Sequence, residues 1–316
     1  MSDKKVLQAG AILIACGLLL RLTINLWSPV VQAAEPVTLG QVIVFLQTGR
    51  VVRYRAPVQA PTQPAGEPQK PITKAVFSQS DQALVQLRNT SDKSADISAA
   101  LLDTLRWDLY AAQPAVLILH SHGTESYQNT EGYEESAAYR TLDTDYNMIS
   151  VGDLLTQELE KAGIRVIHDR TMYDAHSYND AYIHAREAIQ QHLAENPSIC
   201  RVLDLHRDAA ADSGGNQIRY TVETPEGTAA KLMLVLGTNH DTWQDNLSLA
   251  TKLHVLLEKQ VPGICRPISV RAQRYNQDLC PAVLVEVGAA GNHRQEALRS
   301  ANYLAQAIIS LAGGSC

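Results

Sequence analysis

Ile118-Leu119-His120-Ser121-His122-Gly123-Thr124-Glu125-Ser126-Tyr127 closes an apolar run, Ala115-Val116-Leu117-Ile118-Leu119. Two histidines end that run, and a glutamate follows three residues after the second. A short apolar run bounded by polar residues reads as a strand buried on both faces. If such a strand ends in His-x-x-Glu, it delivers an imidazole and a carboxylate to one point at its carboxyl edge. Those donors hold a divalent metal while one coordination position stays open for water. The spacing is short enough to arise by chance, so its weight comes from two later strand ends. Val202-Leu203-Asp204-Leu205-His206 and Val283-Leu284-Val285-Glu286-Val287-Gly288 are apolar runs, each with one catalytic-type residue at or near its end.

Working outward, strand and helix patterns alternate. Asn147 to Ala162 has Met148, Val151, Leu154, Leu155 and Leu159 at helical spacing, and Gly163 is placed to end the helix. Ile164–Ile167 reads as a strand, Ala181–Leu193 as a helix and Ile199–Leu205 as a strand. Lys231–Leu236 reads as a strand, Asp245–Glu258 as a helix, Ala282–Val287 as a strand and Arg294–Leu311 as a last helix. This alternation predicts an α/β fold over residues 113–316, a mostly parallel sheet flanked by helices on both faces. In such sheets the site lies beyond the carboxyl ends of the strands, where His122, His206 and Glu286 fall.

The amino terminus predicts a different environment. Lys4 and Lys5 precede a long apolar stretch from Val6 to Trp27, interrupted by Gln8 and Arg21. A spanning helix needs about 20 such residues, and Arg21 can snorkel to the outer interface. The reading is a cytoplasmic tail at 1–5, a single transmembrane anchor at 6–27, and an extracytoplasmic remainder in the cell membrane. The competing reading is a cleaved signal peptide with Val31-Gln32-Ala33 as its site. Residues 28–112 read as a stalk. It contains a hairpin-like pair around Gln41–Leu46 and Val51–Tyr54, and a spacer carrying Pro57, Pro61, Pro64, Pro68 and Pro71. A helical pattern around Ile97–Leu109 ends it.

Net charge is -6 over 316 residues, with no basic stripe. That argues against nucleic acid as a partner. The five cysteines show no C-x-x-C spacing, so neither a zinc knuckle nor a disulfide framework is read. Cys265 and Cys280 could pair.

Candidate chemistry follows from the three strand ends. His122, Glu125 and His206 are the metal ligands, with zinc as the ion. His120 competes for a ligand role, because on an extended strand it shares a side with His122. Glu286 is the candidate proton shuttle. Arg207, Arg274 and Asn276 are candidate substrate contacts. Arg274 lies in the polar run Arg271-Ala272-Gln273-Arg274-Tyr275-Asn276-Gln277-Asp278, where a guanidinium could grip a carboxylate.

These segments together resemble the stage II sporulation protein P family. The residues that carry the likeness are His120–Tyr127, Leu203-Asp204-Leu205-His206-Arg207-Asp208-Ala209, Arg274–Asp278 and Leu284–Gly288. The family is related to zinc-dependent N-acetylmuramoyl-L-alanine amidases, which share an α/β fold with zinc carboxypeptidases. The resemblance implies a peptidoglycan hydrolase that cuts the amide between N-acetylmuramic acid and L-alanine, with cutting of peptide cross-links also credited. It implies action in sporulation engulfment beside the stage II sporulation proteins D and M. It carries the metal role to His122 and His206 and the catalytic role to Glu286. For the second ligand it leaves Asp143 as an alternative to Glu125. Two other readings are a zinc carboxypeptidase or endopeptidase acting only on stem peptides, and a non-catalytic wall-binding scaffold.

Overall fold

The computed structural model describes residues 75–105, 108–128, 136 and 138–312. The anchor expected at 6–27, the hairpin at 41–54 and the proline-rich spacer lie outside the described residues. Among the described residues no helix is long and apolar enough to cross a membrane.

Seven strands form one sheet: β1 (Leu87–Asn89), β2 (Val116–Leu119), β3 (Val166–His168), β4 (Arg201–Asp208), β7 (Leu232–Gly237), β8 (Ile268–Arg271) and β9 (Ala282–Ala289). Their spatial order is β1-β8-β7-β9-β4-β2-β3. β5 (Thr221–Thr224) and β6 (Gly227–Ala230) make a separate antiparallel hairpin. Neighbours in the large sheet are parallel except β7 with β9, which are antiparallel. The mostly parallel sheet is therefore present, with one reversal. Its cause is the connection: the β5–β6 excursion, not a crossover helix, leads from β4 to β7, so nothing obliges β7 to run parallel. The carboxyl ends of β7 and β8 consequently lie at the opposite edge from those of β2, β4 and β9.

Strand alternation sorts the side chains by face. Leu203 and Leu205 on β4, and Val283, Val285 and Val287 on β9, enter the large core. α1 (Ile97–Leu102), α2 (Met148–Lys161), α4 (Trp243–Gln260) and α5 (Arg294–Ala312) pack against one another on that side. Val202 and Ala282 enter a smaller cluster beneath α3 (Ala181–Glu195) on the other face. Asp204, His206 and Glu286 continue that second set toward the carboxyl edge, where α3 begins and cover is thin.

α2 forms as its spacing predicts. The Asn147 side chain accepts from the Ile149 N–H at its start, and Gly163 at φ 88° ends it. Gly152, within α2, sits against a buried imidazole pair. A Cβ there would lie 2.5 Å from His168 Nε2 and 2.6 Å from His120 Nε2. Gly152→Ala is expected to lower unfolding free energy by about 1–3 kcal/mol through overpacking. A urea midpoint equal to wild type would show that the pair can give way.

Residues 75–105 and 108–112 join the folded unit, where a stalk was expected up to 112. β1 pairs with β8, and Ala100, Leu101 and Leu109 are buried. β1 and β8 are too short to announce themselves by alternation. Cys265 borders the large core and Cys280 the α3-side cluster, so they face different sides and remain free thiols, as does Cys200.

Candidate metal centre

β2 stops at Leu119, and residues 121–124 turn. That turn breaks the strand alternation, so His120 and His122 do not share a side. His120 points into the large-core side, its Nδ1 3.1 Å from the Leu205 carbonyl and its Nε2 2.8 Å from His168 Nε2. Burial, followed by the charge of His168, pushes its pKa down to about 3. His122 swings to the α3 side instead.

There the structure brings His122, Glu125 and His206 together. Each offers one ligand atom, and the three atoms lie within 4.8 Å of one another. Glu125 Oε1 is 3.9 Å from His122 Nδ1, and its Oε2 is 3.6 Å from His206 Nδ1. Asp143, the alternative ligand, is exposed at a turn and accepts from the Asp145 N–H, away from this cluster.

Several groups hold the three residues in place. The Thr124 N–H and hydroxyl both donate to Asp174, at 3.1 and 2.5 Å. The Glu125 carbonyl accepts from Met148 N–H at the start of α2. The Glu125 carboxylate accepts from the Arg207 N–H, with the Arg207 guanidinium 3.6 Å away. Burial raises the Glu125 pKa, but Arg207 and then His206 outweigh it and bring it to about 2. The carboxylate is thus ionised and ready to ligate.

Asp204 is a residue that motif reading missed. It lies two positions before His206 on the same strand face, with Oδ1 2.9 Å from His206 Nε2. Ser121 fixes it, donating from N–H at 2.8 Å and from the hydroxyl at 2.6 Å. Burial lowers the His206 pKa, yet the Asp204 charge, aided by Glu125, holds it well above the ordinary range. The available signal was a charged residue within a run that is otherwise buried. A carboxylate behind a ligand histidine orients the ring and raises its basicity. Asp204→Asn is expected to weaken divalent-metal binding by about 10–100-fold. Chelator competition would measure this, and an unchanged affinity would remove Asp204 from that role.

β4 and β9 are in register at His206 and Glu286. Glu286 Oε2 is enclosed and has no hydrogen-bond partner among the described residues, and the same holds for His122 Nε2. Burial, with the charges of Glu125 and Asp208 adding to it, pushes the Glu286 pKa up to about 8. Two imidazoles, an ionised carboxylate and a half-buried acid with one enclosed, unpartnered oxygen fit a divalent cation with one open side.

Two tyrosines from the start of α3 and the segment before it roof the cluster. The Tyr178 ring stacks on His122 at 4.0 Å between centroids, with the Arg140 guanidinium 4.0 Å from the Tyr178 centroid. The Tyr182 ring meets His122 edge-on at 5.2 Å and lies near-parallel to His206 at 6.1 Å. Lone tyrosines leave no readable spacing, so sequence inspection passed over both.

The expected substrate contacts are placed otherwise. Arg207 is buried, with Nε donating to the Ser126 carbonyl and Nη2 to the Tyr139 carbonyl, so it braces the Glu125 loop. Asn276 donates to the Tyr182 carbonyl and supports the roof. Arg274 is exposed and lines a cavity with Thr238, His240 and Trp243 beyond β7, at the opposite sheet edge.

The family model described as Stage II sporulation protein P matches residues 52–309. Stage II sporulation protein P of Bacillus subtilis (strain 168) is 29% identical over 210 residues, covering 62% of this chain and 50% of its own length. The chain thus spans about half the length of that curated relative. Among solved structures, the CwlD amidase from Clostridioides difficile, in complex with the GerS lipoprotein, superposes with a TM-score of 0.39 at 18% identity, covering 63% of this chain and 95% of that one. The apo N-acetylmuramyl-L-alanine amidase Ami1 from Mycobacterium abscessus gives 0.36 at 15% identity, covering 62% and 95%.

Proposed function

The chain belongs to the Stage II sporulation protein P family, and on that premise we propose that it is a zinc-dependent peptidoglycan hydrolase of sporulation. Its bond is the amide between N-acetylmuramic acid and L-alanine, with peptide cross-links as a second target. The observation that carries this reading is the convergence of His122, Glu125 and His206 within ligand distance beside Glu286. A scaffold has no use for an acid with an enclosed, unpartnered oxygen beside an open donor set.

A divalent cation held by these residues would polarise the scissile carbonyl, acidify the attacking water and draw the Glu286 pKa down from about 8. The remaining steps belong to the chain. The Glu286 carboxylate takes a proton from the attacking water as the C–O bond forms. It returns that proton to the amide nitrogen as the C–N bond breaks, releasing an amine. Asp204 keeps the His206 ring in its orientation, and Arg207 keeps Glu125 ionised. Tyr178 and Tyr182 limit water at the cluster, Tyr178 being held between the His122 ring and the Arg140 guanidinium.

The stem-peptide-only reading wants an arginine aimed at a terminal carboxylate. Arg207 is occupied with carbonyls, and Arg274 lies at the other sheet edge, so the geometry favours the amidase reading. The wider setting belongs to the same proposal. Residues 6–27 anchor the chain in the cell membrane as a single pass, residues 113–316 work outside the cytoplasm, and the stage II sporulation proteins D and M act alongside in engulfment.

The test is digestion of purified peptidoglycan by the full-length chain with zinc. Release of free stem peptides with L-alanine amino termini is the expected result. Shortened peptides alone would move the assignment to a peptidase, and no product at all would overturn the hydrolase reading.

A further inference from the structure

We propose that His254, Glu258 and Cys265 form a second divalent-metal site, suited to a thiophilic ion such as Zn2+, which ties the end of α4 to the β7–β8 layer. Each residue offers one ligand atom, and these lie within 4.8 Å of one another. The site is separate from the candidate catalytic centre: the two donor groups share no residue, and Cys265 borders the large core while Tyr178 and Tyr182 beside α3 cover His122 and His206.

The local sequence explains the convergence. His254 and Glu258 are four apart on α4, so they share a helix face. The chain then turns through Val261–Ile264 and returns Cys265 beside Leu232, with which it forms a parallel bridge. Glu258 accepts from the Gly263 N–H through Oε2 and from the Cys265 N–H through Oε1, each at 2.8 Å. Those bonds fix the carboxylate and leave each oxygen a further lone pair.

A second observation points to a ligand. His254 is 1% exposed, and its Nδ1 has no hydrogen-bond partner among the described residues. Its Nε2 faces the β1 approach, 3.5 Å from the Gln86 nitrogen and within hydrogen-bond reach of the Leu84 carbonyl, so with the ring proton on Nε2 the Nδ1 lone pair is free to ligate. An enclosed imidazole nitrogen without a partner is costly unless something fills the role. The Cys265 thiol lies beside it, with Sγ 3.9 Å from the His254 carbonyl. An incoming ion would displace the thiol proton to solvent and take the thiolate as ligand. A cavity of about 500 Å³, lined by Glu258, Cys265, Gln86 and Lys231 among others, provides entry and room for a water as fourth ligand. Imidazole, carboxylate and thiolate together select zinc over magnesium or calcium.

Cobalt(II) distinguishes the two centres, because only a thiolate ligand produces a strong near-ultraviolet charge-transfer band. The metal-free full-length chain, titrated with Co2+, should develop that band and bind about two ions. Cys265→Ser and, independently, His254→Gln should each abolish the band and retain about one ion. His206→Ala should keep the band. A wild-type chain without the band, or a band that survives Cys265→Ser, overturns the site. Loss of the His206-dependent ion from the wild-type stoichiometry with the band intact would instead count against the catalytic reading and leave this one standing.

Discussion

Glu286→Gln is expected to lower hydrolysis of the muramoyl amide by about 100- to 10,000-fold while metal content stays at the wild-type value. Glutamine keeps the shape of the side chain but can neither accept the water proton nor return it to the leaving nitrogen. Little else should change. Oε2 has no hydrogen-bond partner among the described residues, so the amide breaks no observed bond there. The carboxyl already stands near pKa 8 because of burial, so replacing it with a neutral group does not remove a stabilising ion pair. Turnover by the variant within a few-fold of wild type, with metal bound, would take the proton-shuttle role away from Glu286.

The second large effect is expected at His206. His206→Ala should leave the catalytic centre without its ion and should abolish turnover, because a carboxylate and one imidazole do not make the three-donor set of a catalytic zinc site. It should also destabilise the fold by about 3–5 kcal/mol, since the Asp204 and Glu125 carboxylates remain buried without the ring between them. Elemental analysis of the folded variant reads the first effect, and denaturant unfolding the second. Zinc retained at that centre with full affinity would break the ligand assignment. Chelation of the wild-type chain should reproduce the loss of turnover without the covalent change.

Much of this was legible from local pattern. Apolar runs of strand length and the helical spacing of Met148, Val151, Leu155 and Leu159 announced the alternating elements, because burial of a regular element leaves a period in the chain. The short β1 and β8 and the β5–β6 hairpin left no comparable period and went unread. The donor types at three strand ends announced metal chemistry, because few other uses bring two histidines and two glutamates to the carboxyl edge of a sheet.

The amino-acid sequence by itself determined the longer elements, the strand ends that carry the chemistry, and family membership. It did not determine which neighbour of a motif joins the site. His120 and His122 differ in fate because the chain turns at residues 121–124, and Glu125 rather than Asp143 joins the cluster because that turn delivers it between two imidazoles. Arg207 braces a loop because the carbonyls of Ser126 and Tyr139 happen to reach it. Arg274 follows β8 at the opposite sheet edge because β7 and β8 run against β9. Periodicity and residue chemistry are properties of a short window, and a window can be read. The direction a side chain takes at a turn, and the direction a strand takes in a sheet, depend on partners far away in the chain, and only the folded molecule supplies them.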